Sequence, residues 1–249
     1  MPRPAFRFAA LSALLSAGLA AQATPAPTPA PPADPEAGFV SLFDGTSLKG
    51  WDGDPKYWRV EDGALVGEIT PETIVKRNTF IIWRGGEPAD FELKLEYRVS
   101  GQGNSGVNYR SVQLTDAPWS LAGYQADIDG EAREKIPYRW TGQNYEERGR
   151  TFLAKRGEIV RVDASAKPTV VGSLGDAGAL AAFIKAGDWN EYHLIARGPV
   201  LTHILNGHVM SVVVDDDVKH RRTAGLIGVQ VHVGPPMKIE FRNLRLKTL

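Results

Sequence analysis

The chain of 249 residues is 43% hydrophobic and 23% charged, with 29 basic against 29 acidic side chains and no cysteine. A formal charge of zero leaves no global field to gather nucleic acid or an anionic membrane. Without cysteine, neither a disulfide framework nor a lipidated cysteine can form.

The first 23 residues have the form of a secretory signal: Arg3 and Arg7 at the front, the apolar stretch FAALSALLSAGLA, and Ala21-Gln22-Ala23 as a small-x-small cleavage site. The apolar run is short for a bilayer span. The expectation is an exported protein, periplasmic or secreted, with no membrane span. Residues 24–37, TPAPTPAPPADPEA, cannot bury apolar surface and read as an extended Pro/Ala linker. One domain is expected over 38–249.

From there period-2 alternation dominates. The spacing predicts strands over 57–61, 64–68 and 79–84, then over 91–99, where Phe91, Leu93, Leu95, Tyr97 and Val99 alternate with Glu92, Lys94, Glu96 and Arg98. One apolar and one charged face suits an antiparallel sheet, whereas doubly wound parallel sheets are buried on both faces. Further strands are predicted over 106–114, 123–128, 191–197, 200–205, 208–214, 225–233 and 237–247. Asn206-Gly207 marks a two-residue hairpin. A short helix over 176–186 would pack Leu180, Phe183 and Ile184 and end at Gly187. About ten strands with almost no helix predict an all-β jelly-roll sandwich of two antiparallel sheets.

Three of these strands carry an unusual second face. Counting by twos, Val107 and Tyr109 fall opposite Asn104, Gly106, Asn108 and Arg110. Tyr124, Ala126 and Ile128 fall opposite Gln125, Asp127 and Asp129. Ile227, Val229, Val231 and Val233 fall opposite Gln230 and His232. A merely wet face would be rich in long Glu, Lys and Arg. Short amides, carboxylates, one His and one Arg instead suggest a lined groove. Trp83, Tyr109, Trp119, Trp140 and Tyr145 lie in or near these segments and could stack on sugar rings. The other histidines, His193, His203, His208 and His220, are expected to do no chemistry.

The segments SLFDGTSLKGW, YWRVEDGALVGE, DFELKLEYRV, GNSGVNYRS, GYQADI, WNEYHLIARGPVLTHILNG and GLIGVQVHVGPPMKIEFRNLRLK, in this order from 41 to 247, resemble the 3-keto-disaccharide hydrolase family, also described as a 3-keto-glucoside-1,2-lyase and 3-keto-2-hydroxy-glucal hydratase domain. The resemblance implies a concanavalin A-like or glucanase-type jelly roll. It implies cleavage of a 3-keto-disaccharide or 3-keto-glucoside by elimination across carbons 1 and 2 followed by hydration. It carries over Asn104, Arg110, Gln125, Asp127, Gln230 and His232. Many members have Glu where Gln125 stands, and NYEERGR (144–150) falls where relatives place a Tyr, acid and Arg cluster.

For that chemistry His232 or Asp127 is the expected base, Arg110 with Asn104 would hold the enolate oxygen, and Glu146 or Glu147 would protonate the leaving group. Asn108, Tyr109, Gln125, Gln230, Trp83 and Tyr145 are expected to contact substrate. Asp127 and His232 could hold a divalent metal, but no multi-ligand metal motif is present. Two rival readings stand. One is a retaining β-glucanase, with the outer acids of DIDGE (127–131) as its pair. These need carboxyl groups about 5–5.5 Å apart, whereas Asp127 and Glu131 lie about 13 Å apart along a regular strand. The other is a carbohydrate-binding module with no turnover.

Overall fold

The computed structural model describes Met1, Asp34 and residues 36–249. The expected signal and nearly all of the Pro/Ala tract lie outside the described residues. The compact unit runs from Gly38 to Leu249.

In chain order its strands are β1 (Val40–Ser41), β2 (Trp51–Asp52), β3 (Trp58–Glu61), β4 (Ala64–Ile69), β5 (Thr79–Trp83), β6 (Phe91–Val99), β7 (Asn104–Gln113), β8 (Leu121–Asp129), β9 (Asn144–Glu147), β10 (Thr151–Ala154), β11 (Glu158–Val162) and β12 (Pro168–Ser173). A short helix α1 (Ala177–Ala181) follows, then β13 (Asn190–Arg197), β14 (Val200–Leu205), β15 (His208–Asp215), β16 (Leu226–Val231) and β17 (Met237–Thr248).

These strands form two sheets. A ten-stranded sheet runs β12-β11-β15-β14-β13-β6-β17-β4-β3, with β1 added on β17, and a seven-stranded sheet runs β10-β9-β8-β7-β16-β5-β2. Pairing is antiparallel except between β11 and β15. This is the all-β jelly-roll sandwich the alternation predicts. Phe91, Leu93, Leu95 and Tyr97 of β6 and Ile239 and Phe241 of β17 pack against Val107, Tyr109, Tyr124, Ala126, Val229 and Val231 of the other sheet. The outer face of the large sheet carries cross-strand ion pairs, Arg98 with Glu240 at 2.7 Å and Arg242 with Glu96 at 2.6 Å, which is how Glu/Arg alternation on a wet face is satisfied.

The seven-stranded sheet differs, and the difference makes the site. All nine residues of β8 are buried. Part of its outer face is closed by the cluster Phe80, Ile82 and Leu121 with Leu226. The rest faces a cavity that Arg133, Glu134 and Trp140 of the segment joining β8 to β9 help to line. The helix is shorter than its apolar spacing suggests: Asp176 caps it by accepting from the Ala179 N–H at 2.9 Å, and Leu180 is its one buried residue.

Candidate functional site: a carboxyl groove on the small sheet

Directly opposed residues of neighbouring strands share a face. β7 and β8 set Asn104 against Asp129, Gly106 against Asp127 and Asn108 against Gln125. β8 and β9 set Gln125 against Tyr145 and Gly123 against Glu147. Asn108, Gln125, Asp127, Tyr145 and Glu147 therefore point away from the core on one surface. Gly106 makes room for it, since a Cβ there would come within 2.5 Å of the Gln125 side chain.

Above this surface lies a cavity of about 580 Å³, with Asp127, Glu147, Asn104, His232, Trp140 and Tyr145 in its lining. Its floor is a directional chain of amides. Gln230 Nε2 donates to Gln125 Oε1 at 3.0 Å, and Gln125 Nε2 donates to Asp127 Oδ1 at 2.6 Å. Burial pushes the Asp127 carboxyl well above the ordinary carboxylate range, against the Gln125 hydrogen bond, with Asp129 and Glu147 adding repulsion. Glu147 is also raised by burial, opposed by Asn78, whose Nδ2 is 3.4 Å away, and by Arg148 at 3.7 Å. Both carboxyl groups are buried, at 7% and 8% exposure.

His232 lies just past the end of β16, and burial lowers its pKa. Its Nδ1 is 2.6 Å from the Val233 carbonyl, which can only accept, so Nδ1 carries the proton and Nε2 keeps its lone pair. Arg77 and Arg133 line the cavity and make no ion pair among the described residues. Trp140 stacks on Phe152 at 5.0 Å between ring centroids, and Tyr145 meets Phe152 edge-on at 4.9 Å, giving one aromatic wall.

Several expected site residues lie elsewhere. Arg110 is fully buried at the other end of β7. Its backbone turns left-handed (φ 44°) and the β7–β8 register shifts between Tyr109 and Val112, so the count by twos fails there. Its guanidinium donates to the carbonyls of Ala89 and Gly198, each at 2.8 Å, and to Asp90 Oδ1 at 2.9 Å. Arg110 fixes loops and cannot hold an enolate in the groove. Tyr109 lies between the sheets, stacked on Tyr124 at 5.6 Å with its hydroxyl 2.8 Å from His203 Nε2, so it is not a sugar platform.

Glu146 sits opposite Tyr124, on the core side of β9, and accepts from Arg150 Nε at 2.6 Å. Arg150 also reaches Asp215 at 2.7 Å and Asp217 at 3.3 Å. Glu146 is a structural ion-pair partner, not an acid for the groove. Trp83 pairs with Ile227, whose side chain is in the core, and packs against the core itself. Asn108 and Gln230 share the groove's face but are fully buried and do not line the cavity: Gln230 acts on it through Gln125, and Asn108 Nδ2 donates to Ser111 Oγ at 3.5 Å. Trp119 lines a different hollow.

Asp129 faces the same way as Asp127, yet Thr141 occupies it, donating Oγ1–H at 2.7 Å and N–H at 2.8 Å. Glu131 is exposed and does not line the cavity. The acid pair of a retaining β-glucanase is therefore not assembled. Among the described residues no group of three or more His, Asp and Glu side chains converges to hold a metal, so Asp127 and His232 lack further ligands of that kind.

Asn78, Arg77, Arg133 and Phe152 line the cavity without any sign of it in the sequence, whereas Arg148 belongs to the NYEERGR segment.

Residues 38–247 match the family model described as a 3-keto-alpha-glucoside-1,2-lyase-like domain. A 3-keto-disaccharide hydrolase of Bacteroides thetaiotaomicron is 30% identical over 97 aligned positions that take in 31% of this chain and 29% of that protein's length. Among solved structures, one from Parabacteroides distasonis described as a candidate glycosyl hydrolase has a TM-score of 0.53 at 21% identity, covering 85% of this chain and 94% of its own. The carbohydrate-binding module CBM66 of Bacillus subtilis has a TM-score of 0.50 at 15% identity, covering 80% and 96%. At these identities the structures are similar in fold alone. The family model takes in almost the whole compact unit, and the chain belongs to the 3-keto-alpha-glucoside-1,2-lyase-like domain family.

Proposed function

We propose that the groove cleaves glycosides carrying a ketone at carbon 3, by elimination across carbons 1 and 2 and then hydration, for net hydrolysis to a 3-keto sugar. The observation that carries this reading is the placing of two desolvated carboxyl groups, Asp127 and Glu147, on one outward surface of β8 and β9. The family's description and the name of the Bacteroides relative support it.

A carbon-3 ketone acidifies the hydrogen on carbon 2. Two carboxyl groups whose environments differ can divide acid and base between them. Asp127, raised by burial with Asp129 and Glu147 adding repulsion, is the acid, while Glu147, whose rise on burial is opposed by Arg148 at 3.7 Å, is the carboxylate. Glu147 takes the carbon-2 proton, and the C–H electrons become the enolate. Collapse of the enolate forms the carbon 1–carbon 2 double bond and expels the aglycone oxygen, which receives the Asp127 proton. Water then adds at carbon 1 with its proton passing to Asp127, and Glu147 returns a proton to carbon 2.

Arg133 and Arg77, without carboxylate partners among the described residues, stabilise the enolate oxygen in place of Arg110. His232 Nε2 accepts from a sugar hydroxyl, and the aromatic wall stacks on the ring. The test is p-nitrophenol release by the purified protein from 3-keto and from unoxidised p-nitrophenyl glucosides, with and without EDTA. Release from the keto substrate alone is expected. Equal release from both would sink the elimination, release abolished by EDTA would require a metal, and release from neither would favour a non-catalytic sugar binder.

A further inference from the structure

A second cavity of about 400 Å³ adjoins the carboxyl groove, and Arg77 and Asn78 line both. It lies between the segment joining β4 to β5 and the segment joining β7 to β8. Its apolar surface comes from Tyr57, Ile74 and Trp119, and its polar edge from Lys56, Lys76 and Asp116. Ile74, a large aliphatic side chain in the cavity lining, is left 47% exposed. Lys56, Lys76 and Asp116 make no ion pair among the described residues.

Trp119 is held in a costly backbone conformation. Its φ is +51°, in the left-handed region that a bulky side chain rarely occupies. The conformation is fixed from both ends: the indole N–H donates to Asp52 Oδ1 at 2.7 Å, and the Trp119 carbonyl accepts from the Phe80 N–H at 2.9 Å. Asp52 is itself held by Arg84 at 2.6 Å. Strain maintained by that many bonds marks a side chain whose placement matters. A few flat or branched apolar surfaces with hydrogen-bonding groups at the edge are the usual furnishing of a sugar subsite.

We infer that this second cavity is a subsite for a third pyranose ring, so that the protein takes glycans longer than the disaccharide held over Asp127 and Glu147. The inference rests on the proposed reading of the carboxyl groove as a sugar site. The ring bound there stacks on Trp119 or Tyr57, and the chain passes between the two cavities beside Arg77 and Asn78.

The test reads binding, so it does not depend on turnover. Unoxidised cello-, laminari- and malto-oligosaccharides of two and four residues are titrated into the purified protein by calorimetry, and into Ile74→Arg and Trp119→Ala. In at least one series the tetrasaccharide is expected to bind about tenfold more tightly than the disaccharide, from one added stacked ring. That ratio should fall to near one in Ile74→Arg, which fills the cavity from an exposed position and decides the matter if Trp119→Ala does not fold. Equal affinities at both lengths in every series, no binding of any tetrasaccharide, or a length preference surviving Ile74→Arg would overturn the subsite. Keto-glucoside turnover without length preference would remove the subsite and leave the proposed function. Length preference without turnover would do the reverse.

Discussion

Glu146 and Glu147 are neighbours in the chain that β9 sends to opposite sides of the sheet. Glu146 lies opposite Tyr124 and is paired with Arg150 at 2.6 Å, while Glu147 lies opposite Gly123 and lines the carboxyl groove. Glu147→Gln should lower kcat on a 3-keto-glucoside by about 10²–10⁴-fold, the usual contribution of a positioned acid or base, with Tm unchanged or higher. Glu146→Gln should cost about 2 kcal/mol of stability, since it breaks a buried charge-assisted bond, and leave turnover per folded molecule intact. Kinetics and thermal melts on both variants would separate the roles, and the opposite pattern would exchange them.

Asp127→Asn should stabilise the protein at neutral and alkaline pH. The native pKa of Asp127 lies above its unfolded value, so the native state holds this proton more tightly. The stability this group contributes is complete below the unfolded pKa and is lost as pH rises through the native one. Removing the charge should raise Tm at pH 8 by roughly 3 °C or more for a domain of this size, with the gap closing below about pH 3.9. Activity should fall at every pH. Melts across pH 3–9 that show Asp127→Asn destabilised at pH 8 would contradict the burial argument.

Gln125→Leu removes the hydrogen bond that holds the Asp127 pKa down. The carboxyl should then keep its proton to higher pH. If Asp127 is the acid, the alkaline limb of kcat/KM should move upward relative to the wild type. A limb that stays in place would detach Asp127 from it. Arg148→Ala should act on the other limb: loss of the cation beside Glu147 raises that pKa, and the acid limb should also move up.

Arg110→Lys should be a stability variant only. A lysine cannot reproduce a planar fork serving Ala89, Gly198 and Asp90 together. Buried carbonyls left without donors should cost about 2–4 kcal/mol in urea denaturation. The folded fraction should keep kcat/KM within about twofold; a selective loss of kcat would return Arg110 to the chemistry.

The large sheet was legible because its outer face is wet: β6 alternates in sequence as it does in space, and the predicted bounds 91–99 are those of the strand. The groove was legible in part for a related reason. Gln125, Asp127 and Gln230 interrupt apolar strands at alternate positions, and regular pairing keeps them on one face. Reading failed where the chain leaves regular geometry. At Arg110 a left-handed residue reverses the parity, and no local residue type announces it. Short β9 and β10 carry too little alternation to be seen, so Glu146 and Glu147 could not be told apart. Arg77, Asn78 and Arg133 reach the groove from connections between strands, where spacing predicts no direction.

His203 gives the core an acid liability that the groove partly offsets. Its Nε2 accepts from the Tyr109 hydroxyl, its Nδ1 donates to the Gln143 carbonyl at 3.2 Å, and burial takes its pKa down to about 3. Between about pH 6.5 and that value the unfolded chain gains a proton here that the native state refuses, a slope of about 1.4 kcal/mol per pH unit toward unfolding. Asp127 and Glu147 tilt the other way, because protonation relieves them. Mild acid therefore strains the space between the sheets while it relaxes the cleft above them, and the working region stays calmest under conditions that loosen its own foundation.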